Sequence, residues 1–186
     1  MGIDPGTTRT GYGVLEVSGN KLYAVALGDI DLRKVGDTYQ KLRVIFERTS
    51  QLIEGYRPDE VALESPFFGE NVQSMLKLGR AQGVAMAAAL SRGIEVYEYA
   101  PRRVKQAITG QGGAAKEQVA ALLGNILGIE YDPRRLDATD GMAVALCHHF
   151  ITSSVIPVPK PTRQRRATTS WEDFLRANPD RVKTKD

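Results

Sequence analysis

An acid ends the first short apolar run of the chain, in Gly2-Ile3-Asp4-Pro5-Gly6. Pro and Gly force a turn straight after it, which would hold the Asp4 carboxylate at a sheet edge. A second acid, Glu64, closes the segment Glu60–Glu64 (EVALE), whose apolar residues Val61 and Leu63 suit a short buried strand. Asp137 and Asp140 stand three apart and are neighbours on one face of a helix. Taken singly, each acid has an ordinary role: Asp137 caps its helix, Asp140 faces water. Together, two strand-end acids and a helical pair can converge, and convergence is costly. Two carboxylates 4 Å apart repel by about 4 kcal/mol at an effective dielectric of 20. A fold keeps four together only if a cation cancels the charge, and all-oxygen ligands select hard ions such as Mg²⁺ or Mn²⁺. Two such ions, roughly 3.5–4 Å apart, can hold the attacking and leaving oxygens of an in-line phosphodiester cleavage. The chemistry indicated is metal-assisted phosphoryl hydrolysis.

The elements that must position these acids follow from periodicity. Gly11 to Val17, the turn pair Gly19-Asn20 and Leu22 to Ile30 read as a β-hairpin. From Thr38 to Tyr56, Leu42, Ile45, Phe46, Thr49, Leu52 and Ile53 keep helical spacing. Asn71 to Leu90 reads as a long helix in which Gly79 and Gly83 are expected to mark close helix packing. Ile94 to Tyr99 is a strand, Pro101 opens a short helix to about Ile108, and Ala115 to Leu127 forms another. A final core helix runs from near Leu136 to about Phe150. Hairpin strands first, then strands alternating with helices, predict an α/β fold: a mixed sheet covered by helices. Only Met1 to Ile3 precede Asp4, so the first strand is expected to be short.

Composition narrows the setting. At 186 residues the chain fits one domain, residues 1–152, with an appendage, residues 153–186. That appendage holds eight of the 25 Lys/Arg and four of the 22 Asp/Glu, leaving 17 basic and 18 acidic residues on the rest. A basic tail on a near-neutral core suits contact with a polyanion. Pro157, Pro159 and Pro161 make its start an extended linker, and Thr169-Ser170-Trp171-Glu172 has capping-box spacing for a short last helix. Arg163, Arg165 and Arg166 are the basic cluster expected to meet phosphates. No apolar run is long enough to span a membrane and no signal segment is evident, so a cytoplasmic protein is expected. The single cysteine, Cys147, fits a reducing compartment and reads as a small buried apolar residue. His148 and His149 are expected to be ordinary surface histidines. His148 lies eight residues past Asp140, about 12 Å along a helix and too far to share an ion.

Five segments then carry a resemblance. GIDPGTTRTGYGV, ALES followed by Phe67, SMLKLGRAQGVA, EYAPRRVKQAITGQGGAAKEQV and LDATDGMAVA resemble, in order, the motifs of RuvC-type Holliday-junction resolvases across about residues 2–150. The resemblance implies an RNase H-like fold with a five-stranded mixed β-sheet flanked by α-helices. It also implies that Asp4, Glu64, Asp137 and Asp140 are the catalytic, metal-binding acids. Phe67 corresponds to an aromatic that stacks on bases at the junction; without the resemblance, Phe67 and Phe68 would both read first as core residues under a loop. Lys105 and Lys116 correspond to lysines near the substrate phosphates, although alone they would read as solvated helix charges. The family acts as a homodimer that nicks two opposed strands of four-way junction DNA, and it works with the RuvAB branch-migration complex in recombination and repair. Glu70 departs from relatives that carry a basic residue there, and the tail after residue 153 matches no shared part of the family.

Two other functions fit parts of the sequence. Asp4-Pro5-Gly6-Thr7-Thr8 resembles the phosphate-binding turn of sugar-kinase and actin-like ATPases, but those need two lobes, which 186 residues cannot supply. A non-catalytic junction-binding protein is the second alternative, opposed by the presence of all four acids.

Overall fold

The structure, a computed structural model, describes residues 1–66, 71–130 and 136–153. Phe67, Phe68, Glu70 and the segment after Ser153, with its expected linker, basic cluster and last helix, lie outside the described residues.

Strands β1 (Gly2–Asp4), β2 (Arg9–Ser18) and β3 (Lys21–Asp31) form an antiparallel meander. Helix α1 (Thr38–Tyr56) leads to β4 (Glu60–Glu64), and α2 (Val72–Leu90) leads to β5 (Glu95–Tyr99). Helices α3 (Pro101–Thr109), α4 (Lys116–Leu127) and α5 (Asp137–Thr152) follow. The sheet order is β3-β2-β1-β4-β5, with β4 parallel to both β1 and β5. This is the five-stranded mixed sheet flanked by helices that the sequence predicts. Short as it is, β1 is the central strand. Its three residues pair with Gly11–Gly13 of β2, and Gly2 and Ile3 also pair with Ala62 and Leu63 of β4.

Local chemistry explains the boundaries. Gly19 takes φ +60° in the hairpin turn. The register shifts between Val14 and Leu15, which pair with Ala26 and Ala24, so Val25 has no partner and the hairpin carries a bulge. Asp37 Oδ1 accepts the Gln40 N–H at 2.9 Å and Asn71 Oδ1 accepts the Ser74 N–H at 3.0 Å, capping α1 and α2. Pro101 opens α3, where its missing N–H costs nothing.

Helices cover both faces of the sheet, because alternate residues of each central strand are apolar on opposite sides. Ile3, Val61 and Leu63 pack with Ile45 and Ile53 of α1 and with Ala81, Ala85 and Ala88 of α2. Ala62 faces the other way, toward Val104, Leu123, Met142 and Leu146 of α3, α4 and α5. Alanines, not glycines, make the α2 contact: a Cβ at Gly79 or Gly83 would meet nothing within 4 Å among the described residues. Among the described residues of the chain, then, the packing of α2 does not rest on those two glycines. Glycine does serve that purpose under α5. A Cβ at Gly13 would lie closer than 3.0 Å to the Met142 backbone, and one at Gly141 equally close to the Tyr12 backbone. Helix α5 thus rests directly on the main chain of β2.

Candidate active site

The carboxyl ends of the parallel strands β1 and β4 place Asp4 and Glu64 side by side in the sheet. The turn after Asp4 is fixed from three sides. Thr10 Oγ1 donates to the Gly6 carbonyl at 3.2 Å, Lys41 Nζ donates to the Thr7 carbonyl at 3.1 Å, and Leu32 N–H donates to the Thr8 carbonyl at 2.9 Å. Tyr99 at the end of β5 accepts the Ser65 N–H at 2.9 Å, which fixes the chain just after Glu64. Gly11 brings in the third element: it pairs with Asp4 across the β1–β2 ladder and, having no Cβ, lets the Asp137 carbonyl come against it. The first turn of α5, which carries Asp137 and Asp140, is thereby set over the end of β1. That turn also favours acids, because the free N–H groups of a helix start present partial positive charge.

The four acids border two adjoining hollows. Asp4, Glu64 and Asp140 line one of about 60 Å³, together with Lys105 and Lys116. Asp4, Glu64 and Asp137 line the other, of about 330 Å³, together with Arg9. The Asp140 side chain is 17% exposed, so the reading in which it merely faces water is corrected; Asp137, at 47%, is the open member of the pair.

The site is electrostatically strained in the way crowded carboxylates require. Burial, and after it the Asp140 charge, push the Asp4 carboxyl up to about 6 from 3.8. Burial, then Asp4 and Asp140, push Glu64 up to about 8 from 4.5. Burial also raises Asp140, against the opposing pull of Lys116. Lys116 Nζ stands 2.6 Å from Asp140 Oδ2 and 4.0 Å from Asp137 Oδ1. Burial alone would lower its pKa, but the hydrogen bond to Asp140 and the nearby Asp4 and Asp137 outweigh it and hold the ammonium above its usual value. An ammonium therefore already balances part of the acidic charge. Among the described residues, no three His, Cys, Asp or Glu side chains are pre-arranged as a group that could hold a metal ion.

Two residues at or near the site were not marked by sequence reasoning. Arg9 Nη1 bonds Asp29 Oδ2 at 3.0 Å, and its Nε lies 3.6 Å from Asp137 Oδ2. It approaches one oxygen of Asp137 while Lys116 approaches the other. The only sequence signal was its place in the turn motif GTTRTG. His148 is the second, and it corrects the expectation of a surface histidine. It is 7% exposed, with Nε2 2.8 Å from Glu60 Oε2 and Nδ1 2.7 Å from the Tyr99 hydroxyl. His149 is partly exposed, and burial, then His148, lower its pKa. Cys147 is fully buried, as its apolar reading requires.

A sheet of order β3-β2-β1-β4-β5, with acids at the ends of its two central strands and on a helix laid across them, defines an RNase H-like nuclease fold. The chain belongs to the RuvC family: the family model described as crossover junction endodeoxyribonuclease RuvC matches residues 1–148. It is 55% identical to the RuvC of Bacteroides fragilis over 185 residues, which is 98% of this chain and 95% of that one. With the RuvC of Porphyromonas gingivalis it shares 53% over 185 residues, 98% of this chain and 96% of that one. The family model stops short of the segment after Ser153, as the motifs lead one to expect, while these pairwise alignments run on into it. Among solved structures, Thermus thermophilus RuvC is 36% identical with a TM-score of 0.72, covering 81% of this chain and 93% of that one. The same protein in complex with a Holliday junction substrate gives 36% and 0.74, covering 81% and 92%. The ATPase alternative gains no support from these matches.

Proposed function

We propose that this crossover junction endodeoxyribonuclease resolves four-way DNA junctions by metal-assisted phosphodiester hydrolysis, with Asp4, Glu64, Asp137 and Asp140 as its catalytic and metal-holding acids. One observation carries the reading: Asp4, Glu64 and Asp140 line a single small hollow, where burial first, and then the charge of neighbouring acids, raises the pKa of each. Such a cluster is short of positive charge. Its donors are all carboxylate oxygens, which fits a hard divalent ion, Mg²⁺ with Mn²⁺ as a substitute. Two ions per site is the number that a four-carboxylate phosphodiesterase site of this kind calls for. When bound, these ions supply charge stabilisation at phosphorus and an activated water.

The chain's own residues do the rest. The braced turn after Asp4 and the β4 end at Glu64 hold two carboxylates on rigid elements, while Arg9 orients Asp137. Lys105 and Lys116 line the same hollow and serve the phosphates that flank the cut. Phe67, three residues past Glu64, supplies an aromatic face for a base at the opened junction centre. One site cuts one strand, so paired nicking of opposed strands calls for a homodimer. The existence of a Thermus thermophilus RuvC complex with a Holliday junction substrate supports the junction as the DNA recognised. RuvAB is the partner the family resemblance implies. No helix among the described residues is long and apolar enough to cross a membrane.

The test is an end-labelled four-way junction incubated with the purified full chain and MgCl₂, MnCl₂ or EDTA. Nicks in opposed strands, present with either ion and absent in EDTA, are expected. Cutting in EDTA would remove the metal from the mechanism, and an uncut junction would remove the activity.

A further inference from the structure

We propose that His148 is a positioning residue, whose bonds to Glu60 and Tyr99 fix α5 along its own axis and so set where Asp137 and Asp140 stand relative to Asp4 and Glu64. The proposal rests on the reading of those four acids as the active site.

Helix α5 runs antiparallel to β4, with Asp140 near Glu64 and His148 bonded to Glu60. The two separations match. Eight residues of helix from Asp140 to His148 span about 12 Å at 1.5 Å per residue. Four residues of strand from Glu60 to Glu64 span about 13 Å at 3.3 Å per residue. Helix and strand are therefore two rods joined at both ends. At one end the join consists of carboxylates that repel each other. At the other it is His148, which reaches β4 through Glu60 and β5 through Tyr99.

Along the sheet, the other contacts of α5 are mainly apolar. It buries Met142, Val144, Leu146 and Cys147 along with Ala138, Gly141, Ala143 and Ala145, and it meets β1 and β2 over glycines. Interlocked packing of this kind resists sliding, but apolar contact is non-directional and sets no polar register between α5 and β4. A hydrogen bond is different: 2.8 Å lengthened by 1 Å is no longer a bond. Tyr97 packs against the imidazole with ring centroids 4.6 Å apart; its hydroxyl donates to Glu95 Oε2 at 2.7 Å and lies 3.3 Å from Glu60 Oε1. Both His148 bonds survive either protonation state. The carboxylate only accepts, so Nε2 carries a proton, while the tyrosine hydroxyl can donate to Nδ1 or accept from it. The clamp is thus suited to holding a position rather than to switching.

His148→Phe keeps the ring and its packing but removes both bonds. In the full chain, Mn²⁺ affinity measured by calorimetry is expected to fall severalfold, short of the roughly 10–100-fold that loss of a group bonded directly to a metal ligand costs. The kcat for junction nicking falls with it, while KM and junction affinity in EDTA stay at parental values. Glu60→Ala should act in the same direction, and Glu60→Gln, which keeps an oxygen acceptor for Nε2–H, should restore parental behaviour. Ile53→Val, a core change beneath α1, is the stability control and should leave Mn²⁺ affinity alone. If His148→Phe does not fold, Glu60→Ala, at a partly exposed partner, carries the same test. Parental Mn²⁺ affinity and kcat in the folded variant would overturn the proposal, as would an equal loss in Ile53→Val. Asp140→Asn separates the two readings. If it keeps parental Mn²⁺ affinity, the acidic site itself is wrong; if it loses affinity while His148→Phe does not, only the positioning role fails.

Discussion

Lys116 Nζ and Asp140 Oδ2 stand 2.6 Å apart, joining the start of α4 to the first turn of α5 inside the acidic hollow. The pair is half-exposed on the lysine side, so its net worth is about 1 kcal/mol or less. At this chain length that corresponds to a shift of roughly 2–4 °C in melting temperature. Lys116→Met should lower the melting temperature in EDTA by that amount. It should also enlarge the stabilisation by MnCl₂, because no ammonium then competes for Asp140. If Lys116 also meets a phosphate, the slope of log K against log salt for junction binding drops by about 0.9. An unchanged slope removes it from the DNA contacts.

The raised carboxyls predict an unusual pH dependence of stability. Folding lifts Asp4 from 3.8 to about 6 and Glu64 from 4.5 to about 8. Between those values the folded metal-free protein binds more protons than the unfolded chain, so stability falls as pH rises. The contribution is complete below about pH 4, and is lost through about 6 for Asp4 and about 8 for Glu64. Thermal melts in EDTA should show it, and Glu64→Gln should flatten the part between pH 6 and 8. Since ions compete with protons for the same oxygens, the stabilisation by Mn²⁺ should grow over this range. A melting temperature in EDTA whose pH dependence is the same in parent and Glu64→Gln would contradict the burial of that carboxyl.

The glycines beneath α5 give a sharper structural prediction. In an exposed helix, Gly→Ala would stabilise by about 1 kcal/mol through propensity alone. At Gly141 the added methyl meets the backbone of Tyr12 closer than 3.0 Å, and backbone cannot swing aside. Overpacking of this kind costs about 1–3 kcal/mol or more and should outweigh the gain. Gly141→Ala should melt lower than the parent and lose cleavage, because a lifted α5 carries Asp140 away from Asp4. By contrast, Gly83→Ala, where a Cβ would meet nothing within 4 Å among the described residues, should not lower the melting temperature.

That contrast also shows what the sequence could and could not reveal. The acids were legible because their positions follow from local rules: strand ends marked by Pro and Gly, and a three-residue helical offset. The hairpin, the two later strands and all five described helices follow from periodicity and from punctuation such as Pro101, whereas the parallel pairing of β4 with β1 and β5 does not. Gly79 and Gly83 gave no guide, because a four-residue spacing does not say which helix face is covered. Among the glycines that do pack, Gly13 and Gly141 lie 128 positions apart and share no period. His148 was illegible for the same reason. Its partners Tyr99 and Glu60 are 49 and 88 residues away, and nothing local in CHHF distinguishes a buried histidine from an exposed one. Arg9 meets Asp29 across the hairpin, 20 residues on, and Asp137 only once α5 is in place.

Phe67 tests the junction half of the proposed function. A base stacked on an aromatic ring is worth roughly 1–3 kcal/mol by alanine substitution. Phe67→Ala should therefore weaken junction cleavage about 5- to 150-fold, at about tenfold per 1.4 kcal/mol. The melting temperature should stay near that of the parent. A large fall in melting temperature would place the ring in the core instead.

The amide series separates binding from cutting. Asp4→Asn, Glu64→Gln, Asp137→Asn and Asp140→Asn each keep shape and hydrogen-bonding capacity while removing one negative charge. Cleavage should nearly vanish in each, because the metal-holding geometry sets both the nucleophile and the charge stabilisation. Junction binding in EDTA should persist or strengthen, since less negative charge faces the phosphates. Repulsion falls too, so Asp4→Asn and Glu64→Gln, whose carboxyls are the most strongly raised, should melt no lower than the parent without metal. Asp140→Asn is the instructive exception: it also gives up the ion pair with Lys116, so its gain and loss should roughly cancel. Asp137 is the most exposed of the pair on α5 and is shared between Arg9 and Lys116, so its amide should be the mildest in stability but not in rate. Parental cutting rates in Asp137→Asn or Asp140→Asn would take the helical pair out of the site, and the two-ion mechanism would go with it.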